Sequence, residues 1–298
     1  MIKIPVSRTV ADSYRFTFGG LGRVIALIWL PIAIMTVGGY FVMQSYNVGM
    51  AGSLESGDAA QQGPLLVRMF AFQMVDVVLL AVMAVAIARE ILAPLKRPVF
   101  LRFSLGPAEF RVVGGFIGLY ALAIVFVMAL VIVGLIAGFA GNAVGGGGTK
   151  QAAFAIAGAL FFVGFLAMIY IFTRLGFVMV PAAALEGGFG IERSWRLTKG
   201  NFWRMFIVFL ATALPVTIVW VIVQIMVVGP DALNPHFELL RDPAAMMRHQ
   251  AVQMRQMSAQ LPLLMGLRFV FAPFIYGMAF APAAFAYRAL TAKPETPA

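Results

Sequence analysis

The stretch RSWRLTKGNFWR, residues Arg193–Arg204, interrupts a chain that is otherwise dominated by apolar residues. Arginines, a lysine and two tryptophans surround a Gly-Asn pair, and long apolar runs lie on both sides. Arginine and tryptophan together are typical of a helix end at a membrane surface, where their polar tips reach the headgroups. The stretch therefore predicts a bend at the interface between two membrane helices.

The composition predicts an integral membrane protein. Of the 298 residues, 62% are hydrophobic and 11% are charged, and the mean hydropathy is +0.93. Soluble domains contain about 45–50% apolar and about 25% charged residues, so a soluble fold would lack polar residues for its surface. The chain has no cysteine, which excludes disulfides, thiolate metal ligands and cysteine catalysis.

Six apolar stretches are long enough to cross a hydrocarbon core of about 30 Å, which needs about 20 helical residues. They are Val24–Met43, Leu65–Ala88, Val112–Ala140, Ala152–Thr173, Met205–Val228 and Leu261–Tyr287. Leu175–Leu185 is too short and contains Pro181, so we expect an interfacial extension of the fourth helix. We expect loops at Gln44–Pro64 and Gly141–Lys150, and a helix over Pro243–Ser258 in the last outer connection.

The positive charges are one-sided. Sixteen of the 22 lysines and arginines fall before span one, between spans two and three, between spans four and five, and after span six. Because cytoplasmic segments carry the excess of basic residues, we expect both termini in the cytoplasm of a bacterium and the spans in its inner membrane. The net charge of +10 then reflects topology, and no nucleic-acid partner is expected. No small-residue cleavage site follows the first apolar run, so we expect a retained span.

The basic pattern occurs three times: arginine, apolar residue, serine or threonine, any residue, glycine, and a further arginine just before a span. We call the copies the first elbow (Asp12–Arg23, DSYRFTFGGLGR), the second elbow (Arg102–Arg111, RFSLGPAEFR) and the third elbow (Arg193–Arg204). In the first and third elbows, Ser13, Arg15, Thr17, Gly19 and Arg23 correspond to Ser194, Arg196, Thr198, Gly200 and Arg204, and Tyr14 corresponds to Trp195.

All three elbows precede a pair of spans on the same face, which indicates parallel rather than inverted repeats. We predict an all-α membrane domain over residues 1–298, with repeat units 8–97, 98–185 and 186–290 and a short cytoplasmic tail at 291–298. Each unit is expected to form a helical hairpin preceded by a short amphipathic interfacial helix, with the hairpins around a pseudo-threefold axis. Each elbow glycine is expected to end its short helix in the left-handed conformation.

The third elbow and the residues before it resemble a known family. Arg174, Pro181, Glu186 and Gly187 precede the motif SW-x-L-x-x-GN-x-W. This pattern resembles the glycerophosphoryl diester phosphodiesterase membrane-domain family, bacterial six-span inner-membrane proteins largely of unknown function. The resemblance implies a fold and a cellular location. Some relatives carry a fused phosphodiesterase barrel, but only the short tail 291–298 follows the last predicted repeat unit, so we do not expect that activity.

The elbows are candidate sites for anionic lipid headgroups. The basic residues concerned are Arg15, Arg23, Arg102, Arg111, Arg196, Lys199 and Arg204, with Tyr14, Trp195 and Trp203 as interfacial anchors. Each basic residue near an anionic surface contributes only about 1 kcal/mol, so three clusters would act collectively. The alternative is that the elbows are membrane anchors and topology signals without a specific ligand.

Asp76 is the only acidic residue well inside a predicted span. An ionisable residue at that depth costs about 2.5–3.5 kcal/mol, so it needs a partner. Arg268 in the sixth span is the candidate, and an ion pair would join the first hairpin to the third. A solute or proton pathway, and an aspartate facing an aqueous outer vestibule, are the alternatives.

No other pattern indicates a catalytic or metal site. The methionines and histidine around Ala245–Met257 suit Cu(I), but Met247, Ala251 and Met254 also form an ordinary amphipathic stripe. In the run GGGGTK, Gly145–Lys150, the threonine precedes the lysine, which is the reverse of a phosphate loop.

We therefore expect no metal, no cofactor and no enzymatic activity. The predicted function is that of a membrane accessory protein that interacts with anionic phospholipids. A permease for a small or amphipathic solute, using Asp76 and Arg268, is the first alternative. An intramembrane lipid-modifying enzyme is the second, and it lacks any nucleophile–base set.

Overall fold

The computed structural model describes residues 2–94, 103–143, 147–229 and 242–292, and across these ranges the chain is helical without a β-strand. Six helices are long and apolar enough to cross a membrane, which confirms the prediction of an all-α, multi-pass membrane protein. The α-helices are α1 (Val6–Tyr14), α2 (Leu21–Ser56), α3 (Gln62–Leu92), α4 (Pro107–Ala143), α5 (Gly147–Gly176), α6 (Met179–Leu185), α7 (Ile191–Leu197), α8 (Phe202–Val228) and α9 (Pro243–Thr291). A π-helical turn, Arg15–Gly19, joins α1 to α2, and a 3₁₀ turn, Ala59–Gln61, precedes α3.

The six long helices form a ring, across which α3 also packs directly on α9. Each of them contacts the long helix before and after it in the chain, and α9 closes the ring against α2. The contacts are unequal, because α2 packs along α9 extensively whereas α5 touches α8 over a short distance. None of the residues in the most apolar stretches of α4 and α5 is buried within the protein. This side of the ring therefore presents its apolar side chains to lipid, as a membrane-spanning hairpin does.

The core lies where α3 ends. Its centre is the run Leu79–Ala88, in which only Leu80 is not fully buried. Four alanines in this run let the neighbouring helices approach closely, as small residues do between membrane helices. Ile28 of α2, Val112 of α4 and Met179 of α6 complete the cluster.

The short helix α6 belongs to this core, a packing role that the expectation of an interfacial extension over Leu175–Leu185 did not include. All residues from Met179 to Ala184 are buried, and α6 contacts α3, α4 and α9. The chain approaches α6 closely at Gly190, which has a φ of 75°, and a Cβ there would lie 2.3 Å from the Met179 carbonyl oxygen. Length and proline content do not distinguish a short buried helix from a short surface helix.

The connection at Gln44–Pro64, predicted as a loop, is largely helical. α2 continues to Ser56 and ends at Gly57, whose φ of 70° is the left-handed conformation of a helix C-terminus. A 2.5 Å ion pair between Glu55 and Arg255 joins this end of α2 to α9. Packing against α9 therefore overrides the low helix propensity of the glycines and serines in this segment.

The last helix is also longer than predicted. The helix expected over Pro243–Ser258 does begin at Pro243, after the capping side chain of Asp242, but it continues through three internal prolines to Thr291. Its 49 residues correspond to about 74 Å, against a hydrocarbon core of about 30 Å. The expected loop at Gly141–Lys150 is likewise mostly helical, because α4 and α5 extend into it from both sides.

Candidate functional site

The basic residues of the elbows and helix ends lie together at one end of the ring, which we call the basic end. The last arginines of α3, α5 and α9 each contact the region of an elbow. Arg89 lies 3.3 Å from Glu109, Arg174 donates a 2.6 Å hydrogen bond to the Trp195 carbonyl oxygen, and Arg288 lies 3.8 Å from Asp12. These three arginines link α3 to α4, α5 to α7, and α9 to α1.

The second elbow begins α4 with a capping box. The buried Glu109 carboxylate accepts hydrogen bonds from the Gly106 backbone N–H (3.0 Å) and the Ser104 hydroxyl (2.7 Å). Gly106 directly precedes the helix and Pro107 is its first residue, so the carboxylate satisfies an N–H group that has no helical partner. Gly106 does not have a positive φ, so the expected left-handed conformation is wrong at this elbow. Arg102 lies outside the described residues.

Arg174 fastens the end of α5 to the third elbow. Its guanidinium lies 3.7 Å from the centre of the Trp195 ring, a cation–π contact, and donates to the Tyr170 hydroxyl (3.1 Å). Its own carbonyl oxygen accepts hydrogen bonds from the hydroxyls of Ser194 (2.8 Å) and Thr198 (3.2 Å). Carbonyls in the last turn of a helix have no partner within the helix, so the elbow hydroxyls complete α5.

The third elbow also holds the N-terminal segment. The Asn201 side chain donates to the Ile2 carbonyl oxygen (3.0 Å) and accepts from the Ile4 N–H (3.1 Å), as a paired backbone strand would. Arg204 donates to the Ile4 carbonyl oxygen (2.9 Å). The Ile4 side chain is buried against α6, α8 and α9. Gly200 has a φ of 76°, which confirms the left-handed glycine at this elbow.

Glu186, which directly follows α6, binds side chains of α7 and α9 beside the third elbow. Its carboxylate lies 2.6 Å from the Arg193 guanidinium and accepts a hydrogen bond from the Tyr287 hydroxyl of α9. Burial alone would raise the pKa of Glu186, but the hydrogen bonds from Tyr287 and Arg193, with the charges of Arg193 and Arg196, outweigh burial and lower it. Glu186 therefore remains ionised and holds α9 against the elbow.

The first elbow has a different backbone. α1 passes into the π-helical turn Arg15–Gly19, and α2 begins after Gly20. Gly19 does not have a positive φ, so the left-handed prediction is wrong here too. A glycine is instead required at Gly20, where a Cβ would lie 2.6 Å from the Phe16 carbonyl oxygen. The buried Thr17 packs on Gly277 of α9, where a Cβ would approach it to 2.7 Å.

Tyr14 of the first elbow is half-buried, and its hydroxyl is bonded within the protein. Its hydroxyl donates a 2.9 Å hydrogen bond to the Ala211 carbonyl oxygen of α8. Pro215, four residues later, lies inside α8 and has no N–H to donate to that carbonyl. The Tyr14 hydroxyl thus replaces a missing helical hydrogen bond, and the prediction that Tyr14 is a simple interfacial anchor misses this role.

The first elbow leaves an open groove of about 480 Å³ between the π-helical turn and the end of α9. We call it the basic groove; it is lined by Arg8, Asp12, Arg15, Phe16, Gly19, Gly20, Arg23, Phe285 and Arg288. Asp12 lies 3.9 Å from Arg8 and 3.8 Å from Arg288, and Arg23 lies 3.8 Å from Glu90. Arg15 is exposed and has no ion pair or hydrogen-bond partner within the part of the chain that the structure describes.

The other candidate headgroup residues are mostly engaged within the protein. Arg111 donates to the Ala183 carbonyl oxygen (3.4 Å), Arg196 lies 3.6 Å from Glu192, and Arg204 holds the N-terminal segment. Lys199 is exposed, and Trp203 is 70% exposed, as an interfacial anchor requires.

Sequence reasoning missed Arg8 and Arg288 as parts of the basic groove, because neither belongs to an elbow motif. A signal for Arg8 was present: Arg8, Asp12 and Arg15 are spaced i, i+4, i+7, which places them on one helical face. Arg288 reaches the groove only through the packing of α9 against α1.

Asp76 of α3 and Arg268 of α9 both lie on helices that are long and apolar enough to cross a membrane. The Arg268 charge acts on the Asp76 carboxylate, and the buried Asp76 Oδ1 accepts no hydrogen bond within the described part of the chain. The two residues are thus close enough to interact electrostatically, while a direct ion pair stays a prediction.

Comparison of the chain with protein-family models, curated proteins and solved structures gives no match. The family resemblance around the third elbow accordingly stays a prediction. Within the described residues, no three histidine, aspartate or glutamate side chains group together as metal ligands would. The geometry of the basic end and of the cavities is therefore the basis for a function.

Proposed function

We propose that this protein is a non-enzymatic, multi-pass protein of the bacterial inner membrane whose basic groove binds anionic phospholipid headgroups. The observation that supports this proposal is the composition of the groove: four arginines line it, and Asp12 is the one acidic side chain among the described residues that line it. With the charge of Glu90 beside Arg23 included, the groove retains a net positive charge.

The chemistry of the groove suits a phosphate ester. Guanidinium groups bind phosphate oxygens through paired hydrogen bonds, and Arg15 has its donors available. The ion pairs of Arg8, Arg23 and Arg288 are 3.8–3.9 Å long, so a phosphate can compete for these guanidinium groups.

An apolar surface adjoins the charges. Phe18 is exposed, stacks on Tyr14 and lies against Phe274 of α9. An arginine cluster at headgroup level beside an exposed aromatic ring is the arrangement of interfacial membrane segments, in which the ring contacts acyl chains. The groove and Phe18 together would accommodate both parts of a phospholipid.

We also infer that the three hairpins are parallel repeats around a pseudo-threefold axis. Two features support this: the hairpin-closing arginines contact the next elbow in a closed cycle, and the long helices contact one another in chain order around the ring. The excess of basic residues at one end supports a cytoplasmic position for that end.

Native mass spectrometry in mild detergent with added phosphatidylglycerol tests the headgroup site. The variant Arg15→Gln/Arg23→Gln removes two charges from the basic groove, and the matched variant Arg196→Gln/Lys199→Gln removes two from the third elbow. At about 1 kcal/mol for each charge, the groove variant should bind phosphatidylglycerol roughly 30-fold more weakly. The matched variant should retain most of its binding.

Equal losses in the two variants would contradict a specific site and indicate a general effect of net charge. Turnover of phosphatidylglycerol by the purified protein would contradict the non-enzymatic assignment. Retention of stoichiometric lipid by the groove variant would exclude the groove as the binding site.

A further inference from the structure

A second cavity lies about 30 Å from the basic end, as counted along α9 from Arg288 to Arg268. It has a volume of about 360 Å³ and lies between α2, α8 and α9. On α9 its lining extends from Met257 to Tyr276, a distance of about 28 Å along the helix. We call it the far cavity.

The lining of the far cavity is mostly apolar, but it includes Asn47, Gln224 and Arg268. Asn47 is 4% exposed, and its Nδ2 has no hydrogen-bond partner among the described residues. A buried amide donor without an acceptor is destabilising, and so is a cation in an apolar membrane region. An anion in the cavity would satisfy both the Asn47 and the Arg268 donors.

We propose that the far cavity binds a single-chain amphipathic anion. A carboxylate or phosphate head would lie at Arg268 and Asn47, and an alkyl chain would follow the apolar lining of α9 toward Tyr276. The volume of about 360 Å³ lies at the lower end of the roughly 300–1,000 Å³ typical of small-molecule sites, which suits one alkyl chain rather than two. This site is independent of the headgroup site at the basic groove.

The effect of Asp76→Asn on anion binding distinguishes this proposal from a solute pathway. Its carboxylate and the ligand head compete for the same cation, because the Arg268 charge already acts on Asp76. Asp76→Asn should therefore tighten binding of the anion severalfold. A solute pathway that uses the Asp76–Arg268 pair predicts the opposite, a loss of binding or uptake in the same variant.

The experiment uses the full chain in phosphatidylcholine nanodiscs, titrated with dodecanoate that carries a terminal bromine. Bromine quenches nearby tryptophan fluorescence, and Trp220 lines the far cavity. Saturable quenching is expected in the wild type and should disappear in Trp220→Phe. Arg268→Gln should weaken binding at least about tenfold, the effect of losing an ionic hydrogen bond. Unbrominated dodecyl phosphate should compete and relieve the quenching, and unbrominated dodecanol should not.

Asn47→Leu on α2 keeps Arg268 and provides a second variant if Arg268→Gln does not fold; it should weaken binding severalfold. The proposal is overturned if the wild type shows no saturable quenching, if the folded variants bind as the wild type does, or if the alcohol competes equally. Arg268-dependent quenching by a brominated diacyl phosphatidylglycerol would overturn the single-chain assignment and indicate a membrane phospholipid instead.

Discussion

The first and third elbows share a sequence motif but use it differently. Their common hydroxyl residues are fully buried in both copies: Ser13, Thr17, Ser194 and Thr198. In the third elbow Asn201 and Arg204 bind the N-terminal segment, whereas in the first elbow the arginines line an open groove. Burial of the hydroxyls is a property of the motif, but the use of its arginines depends on what packs beside each copy.

The residue after the elbow glycine illustrates the difference. The third elbow has Asn201 at this position, and Asn201 pairs with the backbone of residues 2–4. The first elbow has Gly20, which has no side chain to pair and is required because a Cβ would clash with the preceding turn. One copy is therefore a docking point for a segment of the protein, and the other is available to a ligand.

The largest expected effect is the loss of this docking point. Asn201→Leu should lower the free energy of unfolding by about 2–4 kcal/mol, because it removes two hydrogen bonds and leaves the Ile4 N–H buried without a partner. Thermal unfolding in detergent measures the effect, and residues 2–4 should become accessible to protease. An unchanged midpoint of thermal unfolding would show that Asn201 does not stabilise the fold by binding the N-terminal segment.

A second pair of variants compares Arg174, which is bonded within the protein, with Arg15, which lines the open groove. Arg174→Lys should cost about 2 kcal/mol, since lysine keeps the charge but loses the forked hydrogen bonds and the stacking on Trp195. Arg15→Lys should leave the unfolding midpoint unchanged, because Arg15 has no partner within the described part of the chain. It should weaken phosphatidylglycerol binding severalfold, because lysine keeps the charge but loses the paired hydrogen bonds to phosphate. Equal destabilisation by both substitutions would contradict the distinction between an arginine that is bonded within the protein and one that lines the open groove.

A double-mutant cycle tests the link between the first elbow and α8. Tyr14→Phe should lower the free energy of unfolding by about 1 kcal/mol, the contribution of one hydrogen bond. In a Pro215→Ala background the cost should be smaller, because residue 215 then supplies an N–H to the Ala211 carbonyl. Additive effects of the two substitutions would exclude this coupling.

The smallest expected effect is a pH dependence at Glu186. Its lowered pKa means that the ionised form stabilises the fold at pH values above the unfolded-state pKa of about 4.3. This contribution is lost as the pH falls through the folded-state pKa. The difference in unfolding midpoint between the wild type and Glu186→Gln should therefore shrink below about pH 4.3. A constant difference from pH 7 to pH 3.5 would contradict the role of this carboxylate.

Much of the fold could be predicted from the sequence. The six membrane helices follow from apolar runs of sufficient length, which are a local property of the chain. The clustering of basic residues at one end follows from the positions of arginines relative to those runs. Helix ends were less predictable, because packing between α2 and α9 extends both helices beyond the expected boundaries, through glycines, serines and prolines that usually end a helix.

The candidate site could be predicted only in part. Arg15 and Arg23 could be chosen from the repeat, but Arg8 and Arg288 join them only when α1 and α9 pack together. Arg204 has the same place in the motif as Arg23, yet it binds the N-terminal segment. Hydrogen bonds between residues about 200 positions apart leave no periodic signal in a single sequence.

The sequence by itself determined that the chain is a helical membrane protein with three basic elbows, because hydrophobicity and charge act through local patterns. Only the tertiary structure decided that the third elbow binds other parts of the same chain, whereas the first elbow lines an open groove. It also decided that Asn47 and Arg268 line one cavity. Those outcomes depend on which distant donors and acceptors meet once the helices pack, since a buried polar group must find a partner wherever the fold places one.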